Sequence, residues 1–413
     1  MKNTKKTVVR IVALFFAVMI VFALFSAFIP KKEEEKILTP YETALKDYEE
    51  NGLKGMWVAY IDYYSVDFST EETFTADISE MFTNIKSMGL NTAIVHARSF
   101  GDAFYKSEIF PQSHIMTGKQ GGQVDYDPLE IMVEKAHEIG LRIEAWVNPY
   151  RVSLNGQPKE FSADNPAVLH PEFVKETEDG IFYNPALPQV HELITDGVLE
   201  IVNNYDVDGI HFDDYFYPTT DESFDAENYS EYKGDLSLED WRRENVNTLV
   251  KKVYAAVKNA NPDVVFGISP QGNDHNNYNV QYSDVGLWMR EDGYVDYVMP
   301  QLYWGFEHRM LNGSDEFSFE KITKTWSDYP KSENVKLYVG LGAYRIGQGE
   351  ESSQYDKEWH SGENIAKMID YVNKSPLDGY AIYTYNSMFI PKDHPDLQAK
   401  EVMAVTELNT EKV

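Results

Sequence analysis

The sequence predicts an α/β fold, a (β/α)8 TIM-type barrel preceded by an N-terminal transmembrane helix. From residue 55 onward, short β-rich segments alternate with amphipathic helical segments, which is the pattern of repeated βαβ units. Eight β-rich segments can be counted, the number that closes a parallel barrel. The roughly 380 residues after the apolar N-terminus are enough for one such barrel with long loops.

The first thirty residues predict a membrane anchor. A flank with Lys and Arg precedes an apolar run over residues 11–29 that is broken only by Ser26. At about 1.5 Å per residue, these 19 residues reach roughly the thickness of a hydrocarbon core. Leu24 and Phe25 are too bulky for a typical cleavage site, so we expect an uncleaved signal anchor, with a cleaved signal and a secreted protein as the alternative. The basic flank stays in the cytoplasm, which places the rest of the chain outside the cell membrane.

Three segments follow from this pattern: the flank and anchor at 1–30, a charged linker or stalk at 31–52 that includes a helix near 40–51, and the barrel domain at 53–408. The predicted helices 77–88 and 129–139 each end at a glycine, and helix 238–260 ends at Asn261-Pro262. Helices 193–203 and 397–408 complete the set. The predicted strands are residues 55–61, 92–97, 142–147, 209–213, 264–269, 294–302, 336–341 and 379–384.

Composition restricts the class of partner. The formal net charge of −30 argues against nucleic acid, because such binding depends on Lys and Arg that neutralise phosphates. The chain has no cysteine, so disulfides and thiolate chemistry are absent. Aromatic residues make up 14% of the chain, and sugar-binding clefts use such side chains as stacking platforms.

The segment 207–218 carries the strongest functional signal, because an apolar strand ends there in two adjacent carboxylates and three aromatic residues. Strand alternation places His211, Asp213 and Tyr215 on one face, and the opposite face is apolar. The apolar face of a barrel strand meets the helices, so His211 and Asp213 should point toward the barrel axis. Ligands bind at the carboxyl ends of such strands. Asp213 is therefore predicted at the barrel mouth, as expected where a sugar ring is bound and cleaved.

Polar and aromatic side chains also stand at the ends of the other predicted strands. Any one of them alone is more often structural: Arg98 could pair with Asp102, and Trp146 could fill the barrel. Because all strand ends meet at one mouth, the whole set converges there and suits hydroxyl groups and flat sugar faces. The predicted substrate-binding residues are His96, Arg98, Trp146, Asn148, Arg151, His211, Tyr215, Gln301, Tyr303, Trp304 and Tyr344.

Four motifs occur in a fixed order: His96-Ala97-Arg98 with Gly101-Asp102, then Ala145-Trp146-Val147-Asn148-Pro149-Tyr150-Arg151, then Asp208-Gly209-Ile210-His211-Phe212-Asp213-Asp214-Tyr215, then Pro300-Gln301-Leu302-Tyr303-Trp304. With them the chain, from about residue 53 to about 386, resembles the bacterial glycosyl hydrolase-like family of exported, membrane- or lipid-anchored (β/α)8 proteins. That family includes a divisome-associated enzyme that cleaves peptidoglycan glycan strands lacking stem peptides. The resemblance implies a glycosidase outside the membrane, with peptidoglycan glycan as the leading substrate.

One residue departs from the pattern of that family. Glu144 stands before Ala-Trp, where a histidine is common. We expect a structural role for this carboxylate inside the barrel, as an ion-pair partner of His96 or Arg98, and the alternative is that it tunes the active site.

Glycoside cleavage usually needs two carboxyl groups, one that protonates the leaving oxygen and one anion. We assign Asp213 as nucleophile or base, with His211 below it as a hydrogen-bond partner. For the proton donor, Asp214 ranks first because it belongs to the same motif. Glu307 ranks second, and Glu222 on the loop after strand four ranks third.

Two functions of other classes remain open in the sequence. A metal-dependent hydrolase would use His96, His211, Asp213 and Asp214, but these strands offer few ligands at metal-binding spacing, and we expect neither metal nor cofactor. A barrel without activity could bind glycan and act as a scaffold, and the lack of a second carboxylate near Asp213 would favour it. A polysaccharide other than peptidoglycan is also open as substrate, and the sequence leaves open whether a protein partner recruits the chain.

Overall fold

Eight parallel strands close into a barrel, which confirms the predicted α/β fold. The computed structural model describes residues 37–349, 356–390 and 393–410, together with Lys6, Phe15 and Met19. In these residues β4 and β5 form a separate antiparallel hairpin, and the other strands pair in parallel in the order β1-β2-β3-β6-β7-β8-β9-β10, with β10 against β1. The strands are β1 (Leu53–Val58), β2 (Thr92–Arg98), β3 (Arg142–Val147), β4 (Val174–Glu176), β5 (Ile181–Tyr183), β6 (Gly209–Phe212), β7 (Val265–Ile268), β8 (Tyr297–Val298), β9 (Lys336–Gly342) and β10 (Gly379–Tyr383).

Helices cover the outside of the barrel, where apolar strand residues such as Ile210 pack with helix residues such as Val198 in one core. The longer helices of the described residues are Pro40–Asn51, Glu71–Ser87, Pro128–Ile139, Pro188–Asn204, Leu238–Ala260, Phe319–Ser327, Asn364–Asn373 and Pro395–Thr410. The shorter ones are His114–Thr117, Pro166–Leu169, Ala226–Tyr232, Asp274–Asn279, Val285–Arg290 and Tyr385–Phe389, with 3-10 turns at Asp62–Ser65, Pro171–Phe173, Ala343–Arg345 and Asp356–His360.

Local sequence explains where the predicted helices begin and end. The Asp127 side chain accepts hydrogen bonds from the Leu129 and Glu130 backbone N–H groups, and the helix Pro128–Ile139 ends at Gly140 with a φ of 92°. The Ser237 side chain accepts from the Asp240 N–H and caps Leu238–Ala260. The predicted bounds of that helix are confirmed at both ends.

The predicted strand 294–302 is much shorter in the structure. Only Tyr297–Val298 belongs to the ladder, and Gln301 makes isolated bridges to Gln271 and Gly340. Pro300 has no backbone N–H, so the regular ladder cannot continue through it. The chain beyond it is therefore irregular.

Helix Pro40–Asn51 closes the amino-terminal end of the barrel. The Tyr41 hydroxyl donates to Asp208 Oδ1 (2.6 Å), and the Tyr48 hydroxyl lies 3.1 Å from that of Tyr338. The Arg142 guanidinium lies 3.6 Å above the Tyr48 ring. This helix was predicted to belong to a linker or stalk at residues 31–52. In the structure, the folded unit that contains the barrel begins at Thr39 and so includes the helix.

The predicted membrane anchor at 11–29 lies outside the described residues, apart from Phe15 and Met19. Across the part of the chain that the structure describes, no helix combines the length and the apolar character needed to cross a membrane.

A glycine on β7 makes room for a large side chain inside the barrel. A Cβ atom at Gly267 would overlap the Tyr297 ring. We expect Gly267→Ala to lower the free energy of unfolding by about 2–3 kcal/mol, because overpacking a core displaces its neighbours. Urea denaturation measures this change.

Gly286→Ala is the matched control for that variant. The nearest atom to a Cβ at Gly286 lies 3.8 Å away, and the residue is helical, so alanine should be neutral or stabilising there. An equal loss of stability in the two variants would contradict the packing argument.

Candidate active site

Asp213 lies directly after β6 and is 1% exposed. Its Oδ2 accepts a hydrogen bond from Trp146 Nε1 (3.1 Å), and both oxygens accept from Asn148 Nδ2 (3.2 and 3.1 Å). Arg151 Nη2 lies 3.8 Å from Oδ2. The β3 motif therefore holds the carboxylate with two N–H donors and a nearby cation. Trp146, Asn148 and Arg151 were predicted to bind substrate, and the structure places all three against Asp213. Trp146 also lines the cleft, whereas Asn148 and Arg151 do not.

Asp214 shares the cleft with Asp213. Because β6 ends at Phe212, strand alternation no longer applies to the next two residues, and both carboxylates reach the same space. Asp214 Oδ1 accepts a hydrogen bond from Gln301 Nε2 (3.2 Å). The cleft has a volume of about 180 Å³ and is lined by Trp57, Trp146, Asp213, Asp214, Tyr215, Ser269, Gln301, Tyr303, Tyr344 and Tyr383.

Burial changes the protonation of both carboxyl groups. Desolvation, opposed by Arg151 and reinforced by the charge of Asp214, raises the pKa of Asp213 to about 7. Desolvation also raises the pKa of Asp214, and the hydrogen bond from Gln301 opposes it. One proton can therefore be held in this pair near neutral pH, as acid catalysis at a glycosidic oxygen requires.

Tyr215 lines the cleft, and Arg151 packs on its ring. The Arg151 guanidinium lies 4.4 Å from the centre of the Tyr215 ring, and that ring is 47% exposed. Elsewhere in the lining, the Tyr303 and Tyr383 rings stack with centroids 5.6 Å apart, and Tyr344 packs against Tyr303 at 5.7 Å. The cleft is therefore walled by phenol rings, as expected for a sugar-binding site.

His211 points into the barrel as predicted, but its hydrogen-bond partners correct the prediction. Trp57 Nε1 donates to His211 Nε2 (3.1 Å), and Ser269 Oγ lies 3.0 Å from the same nitrogen. His211 Nδ1 lies 2.7 Å from the Tyr297 hydroxyl, which itself donates to Glu144 Oε2 (2.6 Å). Asp213 takes its hydrogen bonds from the β3 motif instead. Burial lowers the pKa of His211 to about 3, so the ring is neutral and supports Trp57.

Glu144 is buried below His211 and has other partners than those predicted. Arg142 Nη1 lies 3.5 Å from Glu144 Oε1, and the Tyr297 hydroxyl binds the other oxygen. Neither His96 nor Arg98 is its ion-pair partner. Arg142 takes that role, because residues two apart on β3 face the same way and Arg142 and Glu144 both point inward. The expected structural role of Glu144 fits this position, and desolvation raises its pKa.

His96 supports the site from behind Trp146. The two rings stack with centroids 3.4 Å apart, and His96 Nδ1 accepts the Tyr60 backbone N–H (3.0 Å). Burial lowers the pKa of His96 well below its ordinary value, so the ring is neutral. His96 is not among the residues that line the cleft, and it acts on Trp146, which is.

Arg98 lies away from the cleft, which corrects its predicted role in substrate binding. The register between β2 and β3 shifts between His96 and Arg98, so the two side chains no longer share a face. The Arg98 guanidinium lies 4.5 Å from the centre of the Phe110 ring, and Nη2 donates to the Pro149 carbonyl oxygen (3.4 Å). A sequence pattern of strict alternation could not show this bulge.

The remaining predicted residues lie outside the cleft lining. Glu307 is exposed, and its backbone N–H donates to Glu358 Oε1 (2.9 Å). Glu222 is exposed on the loop after β6. Trp304 packs against Phe317 with ring centroids 4.9 Å apart. Glu307 and Glu222 are therefore poor candidates for the proton donor, and Asp214 is the carboxyl group beside Asp213.

Three cleft residues were missing from the predicted set: Trp57, Ser269 and Tyr383. Each lies on or directly after a predicted strand. Trp57 shares the inward parity of Gly55 on β1, so the same alternation that identified Asp213 could have identified it. No group of three or more His, Asp or Glu side chains in the described part of the chain is arranged to hold a metal ion.

Comparison with known proteins adds the family to this geometry. The family model described as Glycosyl hydrolase-like 10 matches residues 52–361, a range that includes Asp213, Asp214 and most of the cleft. The chain belongs to this family. Membership in Glycosyl hydrolase-like 10 confirms the resemblance drawn from the four motifs, and hydrolysis of glycosidic bonds is the activity in the name of the family.

Two similar proteins of known sequence are named glycosyl hydrolases. Glycosyl hydrolase YngK of Bacillus subtilis is 33% identical over 343 residues, which cover 77% of this chain and 64% of YngK. This chain thus spans just under two thirds of the length of YngK. Glycosyl hydrolase DigH of Escherichia coli K12 is 31% identical over 384 residues, which cover 83% of this chain and 85% of DigH.

Solved structures share the fold. The glycoside hydrolase domain of PgaB from Bordetella bronchiseptica superposes with a TM-score of 0.56 at 14% identity, covering 85% of this chain and 98% of that domain. The endo-1,4-β-mannanase of Rhizomucor miehei superposes with a TM-score of 0.52 at 11% identity, covering 87% and 94%. At such identities the likeness concerns the barrel alone.

The raised pKa of Asp213 predicts how stability depends on pH. The folded-state pKa of about 7 lies above the unfolded value, so the contribution to stability is complete at acidic pH and is lost as pH rises through 7. We expect Tm to fall between about pH 4 and pH 7 and to level off above that range, and Asp213→Asn to remove up to about 4 kcal/mol of this dependence. Thermal melting of both proteins across this range measures it, and parallel curves would contradict it.

Proposed function

We propose that this chain is a membrane-anchored glycoside hydrolase that acts outside the cytoplasmic membrane on the glycan strands of peptidoglycan. The observation that carries the hydrolase part is the pair of buried carboxyl groups, Asp213 and Asp214, in a cleft walled by aromatic rings. The glycan part rests on the resemblance of the four sequence motifs to the exported family. The location rests on the basic flank and the apolar run at 11–29.

The two carboxyl groups divide the work of bond cleavage. Burial raises the pKa of both carboxyl groups, so the pair can hold one proton. The hydrogen bonds from Trp146 and Asn148 and the nearby Arg151 cation favour the anion at Asp213, and we therefore assign the proton to Asp214. In the proposed reaction, Asp214 passes its proton to the glycosidic oxygen as the bond to the anomeric carbon breaks. Asp213 then binds that carbon directly or takes a proton from the water that attacks it. Water completes the hydrolysis in both cases.

The aromatic walls position the sugar for this step. Trp57 and Trp146 are fixed by hydrogen bonds to His211 and Asp213, and Tyr383 packs edge-on against Trp57 with ring centroids 6.1 Å apart. Sugar rings have apolar faces that pack on such platforms, and their hydroxyls suit the amide of Gln301 and the phenols. Binding energy from these contacts holds the glycosidic bond beside the carboxyl pair.

Digestion of purified peptidoglycan tests the proposal. Full-length protein is incubated with sacculi before and after an amidase removes the stem peptides, and soluble saccharides are measured. We expect release from the stripped glycan, no release from intact sacculi, and no release by Asp213→Asn.

The other outcomes discriminate between the open alternatives. Release of saccharides from a different polysaccharide, but from neither form of peptidoglycan, would support glycoside hydrolysis and contradict peptidoglycan as the substrate. Binding of stripped glycan without any release would contradict the hydrolase proposal and favour a glycan-binding scaffold.

A further inference from the structure

A second cavity, of about 500 Å³, lies beside the catalytic cleft at the carboxyl end of the barrel. Ser269, directly after β7, and Gln301, after β8, line the cleft. Gly272 and Asn273, further along the loop that begins at Ser269, line the second cavity. Gly272 approaches Gln301 so closely that a Cβ there would lie 2.5 Å from the Gln301 carbonyl oxygen. The two cavities are therefore neighbours separated by one layer of chain.

Trp304 connects this layer to the second cavity. A Cβ at Gly272 would lie 2.6 Å from the Trp304 ring, and that ring packs on Phe317, which lines the second cavity. Trp304 was predicted to bind substrate, and it lies at the boundary between the two cavities.

The exposed aromatic residue of the second cavity is held in place. Tyr278 is 38% exposed and lines the cavity, and the Arg243 guanidinium lies 4.0 Å from the centre of its ring. Arg243 Nη1 also donates to the Tyr278 carbonyl oxygen (3.0 Å), and Nη2 binds Asp240 (2.6 Å). Arg243 does not line the cavity, so the part of the Tyr278 ring that Arg243 does not cover is available to a ligand.

The floor of the second cavity is equally fixed. Trp326 is 1% exposed, and its Nε1 donates to the Gly272 carbonyl oxygen (2.9 Å). Tyr329 stacks on Trp326 with centroids 5.3 Å apart and donates its hydroxyl to Asp274. The aromatic surfaces therefore need no rearrangement before a ligand binds. Polar groups surround them: Asn273, His275, Asn279, Glu316 and Thr325.

We propose that the second cavity is an auxiliary glycan-binding subsite, which holds a part of the polysaccharide chain away from the bond being cleaved. The inference rests on the proposed function, since its ligand is the polymer that is cleaved beside Asp213. A preformed concave site with aromatic walls and convergent amide, imidazole and hydroxyl groups suits sugar rings, which offer apolar faces and hydroxyl edges. Its volume lies within the range of small-molecule sites, about 300–1,000 Å³.

The position of the subsite predicts a kinetic signature. Contacts made to a distant part of the chain are the same before and during bond cleavage, so their loss raises KM and leaves kcat unchanged. Short oligosaccharides that occupy only the cleft do not gain from these contacts. The effect should therefore appear with the polymer and be absent with the short substrate.

Two variants test the subsite independently. Tyr278→Ala removes the exposed platform, and Thr325→Trp fills the cavity from an exposed position on Phe319–Ser327. We expect each to raise KM for amidase-stripped glycan by about fivefold to tenfold, the effect of one lost stacking contact. kcat and the kinetics on a short oligosaccharide should stay within about twofold of the wild type.

Matched controls use exposed positions outside both cavities. Tyr232→Ala repeats the loss of an exposed tyrosine, and Glu320→Trp repeats the addition of an indole on the same helix as Thr325. Sedimentation of each full-length protein with insoluble stripped glycan measures binding without catalysis, and thermal melting reports whether each variant is folded.

The outcomes separate the subsite from the proposed function. Unchanged binding and KM in both cavity variants would overturn the subsite, and so would equal losses on polymer and short substrate. If the wild type binds the polymer through this cavity but releases no saccharide, the hydrolase proposal fails and the subsite remains. If the wild type does not bind the polymer at all, both fail.

Discussion

Asp213→Asn is expected to lower kcat for glycan hydrolysis by about 10³-fold or more, because an amide can neither attack an anomeric carbon nor take a proton from water. The amide fills almost the same volume, and its oxygen can still accept from Trp146 Nε1, now 3.1 Å from Asp213 Oδ2. The fold should therefore persist. Initial rates of saccharide release, with circular dichroism as a check on folding, measure the effect.

Asp206→Asn is the control for this substitution. Asp206 is exposed just before β6, whereas Asp213 follows the same strand at its other end, so one variant changes the surface and the other the site. The control should retain full activity. A folded Asp213→Asn protein with rates close to those of the wild type would remove Asp213 from the reaction.

Asp214→Asn is expected to lower kcat for the natural glycan by about 10²–10⁴-fold, the usual contribution of a positioned proton donor. A leaving group that needs no proton should escape this loss. Bond cleavage in an aryl glycoside with a nitrophenolate leaving group is therefore expected to stay near the wild-type rate in Asp214→Asn, and to be lost in Asp213→Asn.

This comparison assigns the two roles separately. Asp214 Oδ1 accepts from Gln301 Nε2, so Gln301→Glu would place a second acid against it and is a less clean test than the direct substitution. Equal losses on the glycan and on the aryl glycoside in Asp214→Asn would contradict its role as proton donor. The proton would then have to come from another group.

The barrel and the position of Asp213 could be predicted because both depend on local periodicity. Alternation along a strand and a glycine at the end of a helix can both be recognised from neighbouring residues. Asp213 lies at the mouth because it directly follows β6. Tyr303 and Tyr344 were predicted because they follow strands whose carboxyl ends meet at the mouth, and both line the cleft.

The errors come from features that local periodicity does not encode. The bulge after His96 turned Arg98 toward Phe110, and no pattern within β2 marks it. The partners of His211 are Trp57 and Tyr297, which come from strands far away in sequence. Glu307 follows an irregular segment after Pro300, where strand parity gives no direction.

The two indoles of the cleft have a consequence for which sugars are accepted. An indole has one N–H donor. In Trp57 this donor binds His211, and in Trp146 it binds Asp213. Neither ring therefore has a donor left to read the orientation of a hydroxyl, and each senses only the shape of the face that lies on it. Discrimination between epimers then falls to the polar groups of the cleft lining, such as the amide of Gln301 and the tyrosine hydroxyls. Inverting a sugar hydroxyl that meets one of these groups should weaken binding more than changing a substituent that meets an indole.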